Sequence, residues 1–304
     1  MNASAPRATV ALETSVLAQG LPWPANRDLI HRLHGAVTAV GARPCTTGCL
    51  DGELRADLSM VEVLSFCQPP DPAAPPIRKV SLANLPAVLA RREQGATTVA
   101  TTMLAAHRAG IQVVATGGIG GVHIRSSERE PLDESGDLMA LSRIPVTVVC
   151  SGPKAILDVA ATRERLETLG ITLIGYRTDT LPAFYCGHSP HAVDVRCDDV
   201  TQVVEIIRAR DRMALPSAIL VTVPVPDSHA LPWEAVQDVV QTALRRPAGA
   251  RLAPAEVTPY LLGAVRDALG NRALDANIAL LEQNARLAAE LGVALAEANP
   301  ASHS

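Results

Sequence analysis

A chain of 304 residues has room for one large or two small domains, and 48% hydrophobic residues with a mean hydropathy of +0.17 describe a compact globular protein. Aromatics make up only 2%, the net charge is -4 and the pI is near 6.1, so the chain has neither the stacking platforms nor the basic footprint of a nucleic-acid binder. No stretch approaches the roughly 18 apolar residues of a membrane span. The first 20 residues lack a basic segment and carry Glu13 inside their one apolar run, which together predict a cytoplasmic protein with no membrane partner.

Short β-branched runs alternate with amphipathic segments, so the expected fold is α/β in a single domain over residues 1–304. A helix is predicted after Asn26, with Leu29, Ile30, Leu33 and Val37 on one face, and another near Asn84, where Pro86 suits a first turn. The run "GATTVATTMLAAHRAG" predicts a third helix ending at Gly110, followed by a buried strand over 111–115. A strand over 144–150 leads into a predicted helix, "SGPKAILDVAATRERLETLG", closed by Gly170. "ITLIGY" and "AILVTVPV" predict two more strands, and the C-terminal third is predicted to be helical. The six cysteines form no CxxC pair, and Cys45 and Cys49 have no matching second pair, so reduced thiols are expected and not a zinc site.

The run "IQVVATGGIGGVHI" drives a strand into four glycines, Gly117, Gly118, Gly120 and Gly121. From Gly118 the sixth residue is His123, so a dinucleotide fingerprint fails, and no phosphate-loop lysine follows. Two readings stay open: backbone N–H groups offered to an anion or sugar, and a tight turn without a ligand.

Lysine occurs only at Lys79 and Lys154, whereas 25 of the 27 basic residues are arginine. One explanation is an arginine-favouring genome. The other is that an amine is needed, because lysine can lose its proton and attack a carbonyl and arginine cannot. Lys154, in "VVCSGPK", is placed by this reading in the first turn of a helix, where the macrodipole disfavours an ammonium. Lys79 is a candidate point charge for a phosphate, or simply exposed. Glu13 interrupts an apolar stretch, where desolvation raises a carboxyl pKa and suits it to proton donation. Asp133 and Asp137 bracket "DESGD", spaced either for a hard cation or sugar hydroxyls or for a helix cap.

Taken together, "ALETSVLAQGLPWPAN", "GATTVATTM", "TGGIGGVH", "DESGD", "CSGPKAILD", "GYRTDTLPAFY", "EVTPYLL" and "LDANIALLEQNARLAAE" resemble, in order, the motifs of pseudouridine-5′-phosphate glycosidases and indigoidine-synthase-A-like proteins. The resemblance runs from about Ala11 to Glu290. It implies an α/β/α sandwich with a central sheet, a homotrimer, and Mn²⁺-assisted, reversible joining of ribose 5-phosphate and uracil through a carbon–carbon bond. It assigns the nucleophile to Lys154, the proton donor to Glu13 and the metal ligand to Asp133. Substrate contacts fall on Lys79, Val99, Ser135, Gly136 and Asp137, with Asn277 facing the nucleobase and Thr116 and His123 in the active-site loop. Through these assignments the glycine loop is expected to line the sugar-phosphate pocket.

Departures from that pattern concern the acceptor side. "DESGD" replaces a DISAD-like run after a two-residue insertion, Val223 stands where an asparagine is usual and Gln19 where a histidine is common. The resemblance therefore carries an alternative, a C-glycosynthase joining a pentose 5-phosphate to a nucleobase-like acceptor other than uracil. A catalytically idle sugar-phosphate-binding protein is a third class of reading, opposed by retention of both lysines, Glu13 and Asp133.

Overall fold

The computed structural model describes residues 8–68, 75–125, 132–245 and 254–298, with the backbone alone for 254–259. Residues 69–74, within the proline-rich run "CQPPDPAAPPI", and residues 126–131 lie outside these. In chain order the elements are β1 (Thr9–Leu12), α1 (Ala25–Ala39), β2 (Arg43–Thr46), β3 (Gly48–Leu50), β4 (Glu53–Arg55), α2 (Met60–Leu64), β5 (Arg78–Val80), α3 (Leu85–Ala90) and β6 (Gly95–Thr97). Then follow α4 (Val99–Arg108), β7 (Val113–Ala115), α5 (Gly136–Arg143), β8 (Thr147–Cys150), α6 (Val159–Thr168), β9 (Thr172–Tyr176), β10 (Val195–Cys197), α7 (Val200–Arg212), β11 (Ile219–Thr222), α8 (Trp233–Leu244), α9 (Pro254–Leu269) and α10 (Asn271–Ala298).

A seven-stranded parallel sheet in the order β10-β9-β11-β8-β7-β1-β2 forms the centre, with helices around it and α8 to α10 making the helical C-terminal region. Strands β7, β8 and β11 are buried at every residue, as expected where helices cover a parallel sheet and no face meets water. With so few aromatics, aliphatic side chains fill the core, and α1 contributes Leu29, Ile30, Leu33 and Val37 as its periodicity predicted. Gly110 and Gly170 follow α4 and α6 with φ of +71° and +68°, left-handed conformations that stop a helix cheaply only at glycine.

Two elements differ from the sequence reading. The first residues of "GATTVATTM" form β6 of a second sheet, ordered β4-β3-β6-β5, and α4 starts only at Val99. The helix predicted over 151–170 begins at Val159, capped by Asp158, whose side chain accepts from Ala161 N. Residues 151–158 instead run as a loop bridged to the glycine segment through Ile119 and Pro153.

A cluster of buried threonines pins the small sheet to the large one. Thr14, Thr47, Thr97 and Thr102 come from the ends of β1, β2 and β6 and from α4, and all are fully buried. Thr47 Oγ1 lies 2.7 Å from Thr97 Oγ1 and 3.0 Å from Thr102 Oγ1, and Thr97 N donates to Thr14 Oγ1 at 2.9 Å. Burying four hydroxyls is tolerable because they satisfy one another.

Candidate active site

Strand order decides where a site can form. From β1 the chain goes to β2 on one side and later to β7 on the other, so the order reverses between β1 and β7. At such a switch point the loops leave in opposite directions and open a crevice at the carboxyl ends of the strands. Glu13 lies just past β1, Thr116 just past β7 and Lys154 on the loop after β8.

Glu13 is 8% exposed. Its Oε1 accepts from the Thr116 hydroxyl and its Oε2 from Ser15 Oγ at 2.5 Å. Burial pushes its pKa above the ordinary value, opposed by the two hydroxyls and by the charge of Lys154, while Asp137 adds to the rise. Hydroxyl partners suit a group that changes protonation, because each can turn from donor to acceptor.

Lys79 sits on β5 of the small sheet, solvent-accessible at one end yet surrounded by enough protein to lower its ammonium pKa. Desolvation is the first cause and repulsion from Lys154 the second, with Glu13 and Asp137 opposing. The two lysines of the chain, one from each sheet, therefore share an electrostatic neighbourhood with both carboxylates. The macrodipole argument for Lys154 does not hold, since α6 starts five residues later. Its backbone N–H donates to Ile119 O at 3.1 Å, which ties the lysine loop to the glycine segment.

That segment is a packed bracket. Ile119 N donates to Gly152 O, Gly120 N to Asp137 Oδ2 at 2.8 Å, Val122 N to Thr162 Oγ1 and His123 N to Asp133 O. These four N–H groups are used internally, which among the two open readings favours the tight turn for this part of the loop. At residues 118, 120 and 121 neighbours lie too close for a side chain, and at Gly117 they leave only a tight fit. A Cβ on Gly118 would come within 2.5 Å of Phe184 Cδ2 and 2.8 Å of Gly152 O, and one on Gly120 within 2.2 Å of Ser135 Oγ. Gly118→Ala is expected to cost about 1–3 kcal/mol by overpacking, since a backbone carbonyl cannot yield as a side chain can. A urea titration showing an unchanged midpoint would refute this account of the loop.

"DESGD" serves as a cap. Ser135 begins α5 and accepts from Asp137 N at 3.2 Å, and Gly136 is the first helical residue. Asp137, 8% exposed, also takes Ala100 N at 3.1 Å through Oδ1, so its carboxylate joins α5, the glycine segment and the first turn of α4 beside the buried Val99. Asp133 Oδ2 meets His123 Nδ1 at 2.5 Å. Among the described residues no three His, Cys, Asp or Glu side chains cluster. The part-exposed Asp133 fits a hard cation held by one carboxylate with water in the remaining positions, and not a closed protein cage.

Asn277, on α10, is buried, and among the described residues its Oδ1 has no hydrogen-bond partner. The structure thus joins Glu13, Thr116, Lys79, Lys154 and Asp137 through bonds or charge and pairs His123 with Asp133, whereas among the described residues no hydrogen bond ties Asn277 to them. The sequence reading overlooked Ser15, Ser151 and Asn284. An asparagine seven residues after Asn277, on the same helical face, was its available signal. The six cysteines are all free and buried, and no helix among the described residues is long and apolar enough to cross a membrane.

A family model described as indigoidine synthase A like protein matches residues 2–294. The pseudouridine-5′-phosphate glycosidase of Symbiobacterium thermophilum is 42% identical over 292 residues, covering 95% of this chain and 93% of that protein. The protein of the same name from Thermus thermophilus is 45% identical over 287 residues, covering 94% and 97%. Two solved structures share the fold. An indigoidine synthase A-like protein from Thermotoga maritima has a TM-score of 0.84 at 34% identity, covering 95% of this chain and 94% of that one. The prealnumycin C-glycosynthase AlnA, in complex with ribulose 5-phosphate, has a TM-score of 0.87 at 33% identity, covering 96% and 93%. With a family match along nearly its whole length and relatives above 40% identity, this chain belongs to the indigoidine synthase A-like family.

Proposed function

We propose that this enzyme reversibly makes and breaks a carbon–carbon glycosidic bond between ribose 5-phosphate and uracil, with pseudouridine 5′-phosphate as the joined species. The observation that carries the reading is the convergence of the only two lysines with a buried, pKa-raised Glu13 at the switch point of the sheet. Relatives bearing the name pseudouridine-5′-phosphate glycosidase, at 42% and 45% identity, support it.

An amine answers the chemical difficulty. An O- or N-glycoside leaves through a protonated heteroatom, and a C-glycoside has none at that position. In cleavage, Lys154 Nζ attacks C1′, the C1′–O4′ bond breaks, and the ring oxygen takes the proton of Glu13. The lysine nitrogen sheds one proton and then forms an iminium with C1′ as the C1′–C5 bond breaks, the bond's electron pair passing into the uracil ring, where C5 gains a proton in exchange by way of Asp137. Water adds to the iminium and releases ribose 5-phosphate and the free amine. Synthesis is the same path reversed.

Lys79 is the phosphate's point charge in this reading, Val99, Ser135 and Gly136 shape the sugar subsite, and Asn277 faces the nucleobase. Asp133 would hold a Mn²⁺, which would supply positive charge toward the substrate, and His123, bonded to Asp133, belongs to the active-site loop. A homotrimer, a cytoplasmic setting and one domain over residues 1–304 belong to the same proposal.

A second reading, joining of a pentose 5-phosphate to another acceptor, is favoured by the likeness to AlnA and by Val223, an apolar residue buried at the carboxyl end of β11. Mass spectrometry of the enzyme with ribose 5-phosphate, uracil and Mn²⁺ separates the two. Pseudouridine 5′-phosphate is the expected product. Its absence with uracil, together with coupling to a different acidic heterocycle, would replace the first reading with the second.

A further inference from the structure

Asn284 is a fully buried amide on α10, with the buried Leu280, Leu281, Leu287 and Ala288 near it along the helix. A buried amide is costly unless its hydrogen bonds are made, and where these go is informative. Nδ2 donates to Thr116 O at 2.9 Å and lies 3.4 Å from Gly117 O. The same amide meets the Ser151 hydroxyl at 3.1 Å through Nδ2 and 3.4 Å through Oδ1.

Thr116 and Ser151 are the first residues beyond β7 and β8, neighbouring parallel strands. Thr116 holds Glu13 through its hydroxyl. Ser151 opens the loop that carries Lys154, and its backbone is fastened on both sides: N to Gly117 O at 2.9 Å, and O from Phe184 N at 2.7 Å. Phe184 adopts a left-handed φ of +53°, uncommon for a bulky residue, and lays its ring against Gly117 and Gly118. Among the described residues, Asn284 is the side chain of α10 whose hydrogen bonds reach both strand ends at once.

We propose that Asn284 is a positioning residue that sets the spacing between the acid Glu13 and the amine Lys154 by clamping the carboxyl ends of β7 and β8 from the C-terminal helix. This rests on the reading of Lys154 and Glu13 above. It touches neither reacting atom. Its action is geometric, and an error of about 1 Å in such geometry is worth roughly 100-fold in rate.

The test counts turnover per working lysine. Wild type, Asn284→Leu, Asn284→Asp and Ser151→Ala are each incubated with ribose 5-phosphate and borohydride, and the trapped Lys154 adduct is titrated by mass spectrometry. Steady-state kcat and KM with ribose 5-phosphate and the acceptor found for the wild type are then measured. Asn284→Leu removes both clamps, Asn284→Asp keeps the shape and the acceptor but loses the donor to Thr116 O, and Ser151→Ala removes one anchor with little effect on folding. The expected result is a kcat per titratable lysine lowered about 100-fold in both Asn284 variants and about 10-fold in Ser151→Ala, with KM for the sugar phosphate within about threefold of wild type. A merely structural asparagine would lower adduct and turnover in proportion, and an unchanged ratio in the folded variants overturns the proposal. Should both Asn284 variants fail to fold, an unchanged ratio in Ser151→Ala overturns it. A wild type that forms no adduct at all removes the underlying reading of Lys154, and the clamp falls with it.

Discussion

Lys154→Ala is expected to abolish turnover, lowering kcat by roughly 1,000-fold or more, and to leave no borohydride-trapped sugar on the protein. The size follows from the bond being broken. Without an amine there is no iminium to accept electrons, and nearby carboxylates cannot supply one. Lys154→Arg is expected to be equally inactive, because a guanidinium keeps the charge and cannot become a nucleophile. The arginine variant matters for interpretation. It preserves the positive charge that opposes the pKa rise of Glu13, so its inactivity isolates nucleophilicity from electrostatics. Turnover retained by Lys154→Arg would end the imine mechanism, and turnover retained by both variants would end the assignment of Lys154. Peptide mapping of wild-type enzyme reduced in the presence of ribose 5-phosphate locates the adduct directly.

Glu13→Gln is expected to slow the reaction by about 100- to 10,000-fold, the range over which a positioned acid contributes. The glutamine keeps the shape and can bond the Thr116 and Ser15 hydroxyls, but it has no proton to give to the ring oxygen. The pH dependence carries a signed expectation. Glu13 has a folded pKa above the ordinary 4.5, chiefly through burial, so its neutral form persists to higher pH than in the unfolded chain. Cleavage should hold on the acid side of that raised value and fall as pH rises through it, and this limb should vanish in Glu13→Gln. Stability follows the same sign. The contribution of the neutral carboxyl is fully present below 4.5 and is lost as pH climbs through the folded pKa, so the variant should gain on wild type above that window. Paired denaturant titrations across pH measure this. A variant that loses stability relative to wild type on the alkaline side would contradict a buried, neutral-preferring Glu13.

Much of the proposed chemistry rests on residue type. Two lysines among twenty-five arginines single out an amine, and a carboxylate inside "VALETSVL" announces burial, because few partners for it exist in such a run. Periodicity placed α1, a proline suited to a first turn placed α3, and composition anticipated the aliphatic core. Spacing was a poorer guide to geometry. "CSGPKAILD" looks like the entry to a helix, yet residues 151–158 stay extended enough to bridge Ile119, because the glycine segment offers carbonyls and space that local sequence cannot reveal. "GATTV" hides a strand for a similar reason. Three small residues carry no period of their own, and β6 exists only because Cys49 and residues 78–80 pair with it.

The sequence by itself determined the elements with long hydrophobic periods, the α/β class, and the inventory of groups able to do chemistry, because these depend on residue identity and on contacts within a few positions. Tertiary structure alone decided that β1 and β7 lie side by side with the strand order reversing between them, that Lys79 from a second sheet shares the surroundings of Lys154, and that Gly118, Gly120 and Gly121 meet neighbours too close for a side chain. It also decided that Asn284 reaches the ends of β7 and β8, at Thr116, which bonds Glu13, and at Ser151, which opens the loop of Lys154. Each of these joins residues tens to hundreds of positions apart. Such contacts are specified by how faces bury against one another across the whole chain, and no local pattern records them.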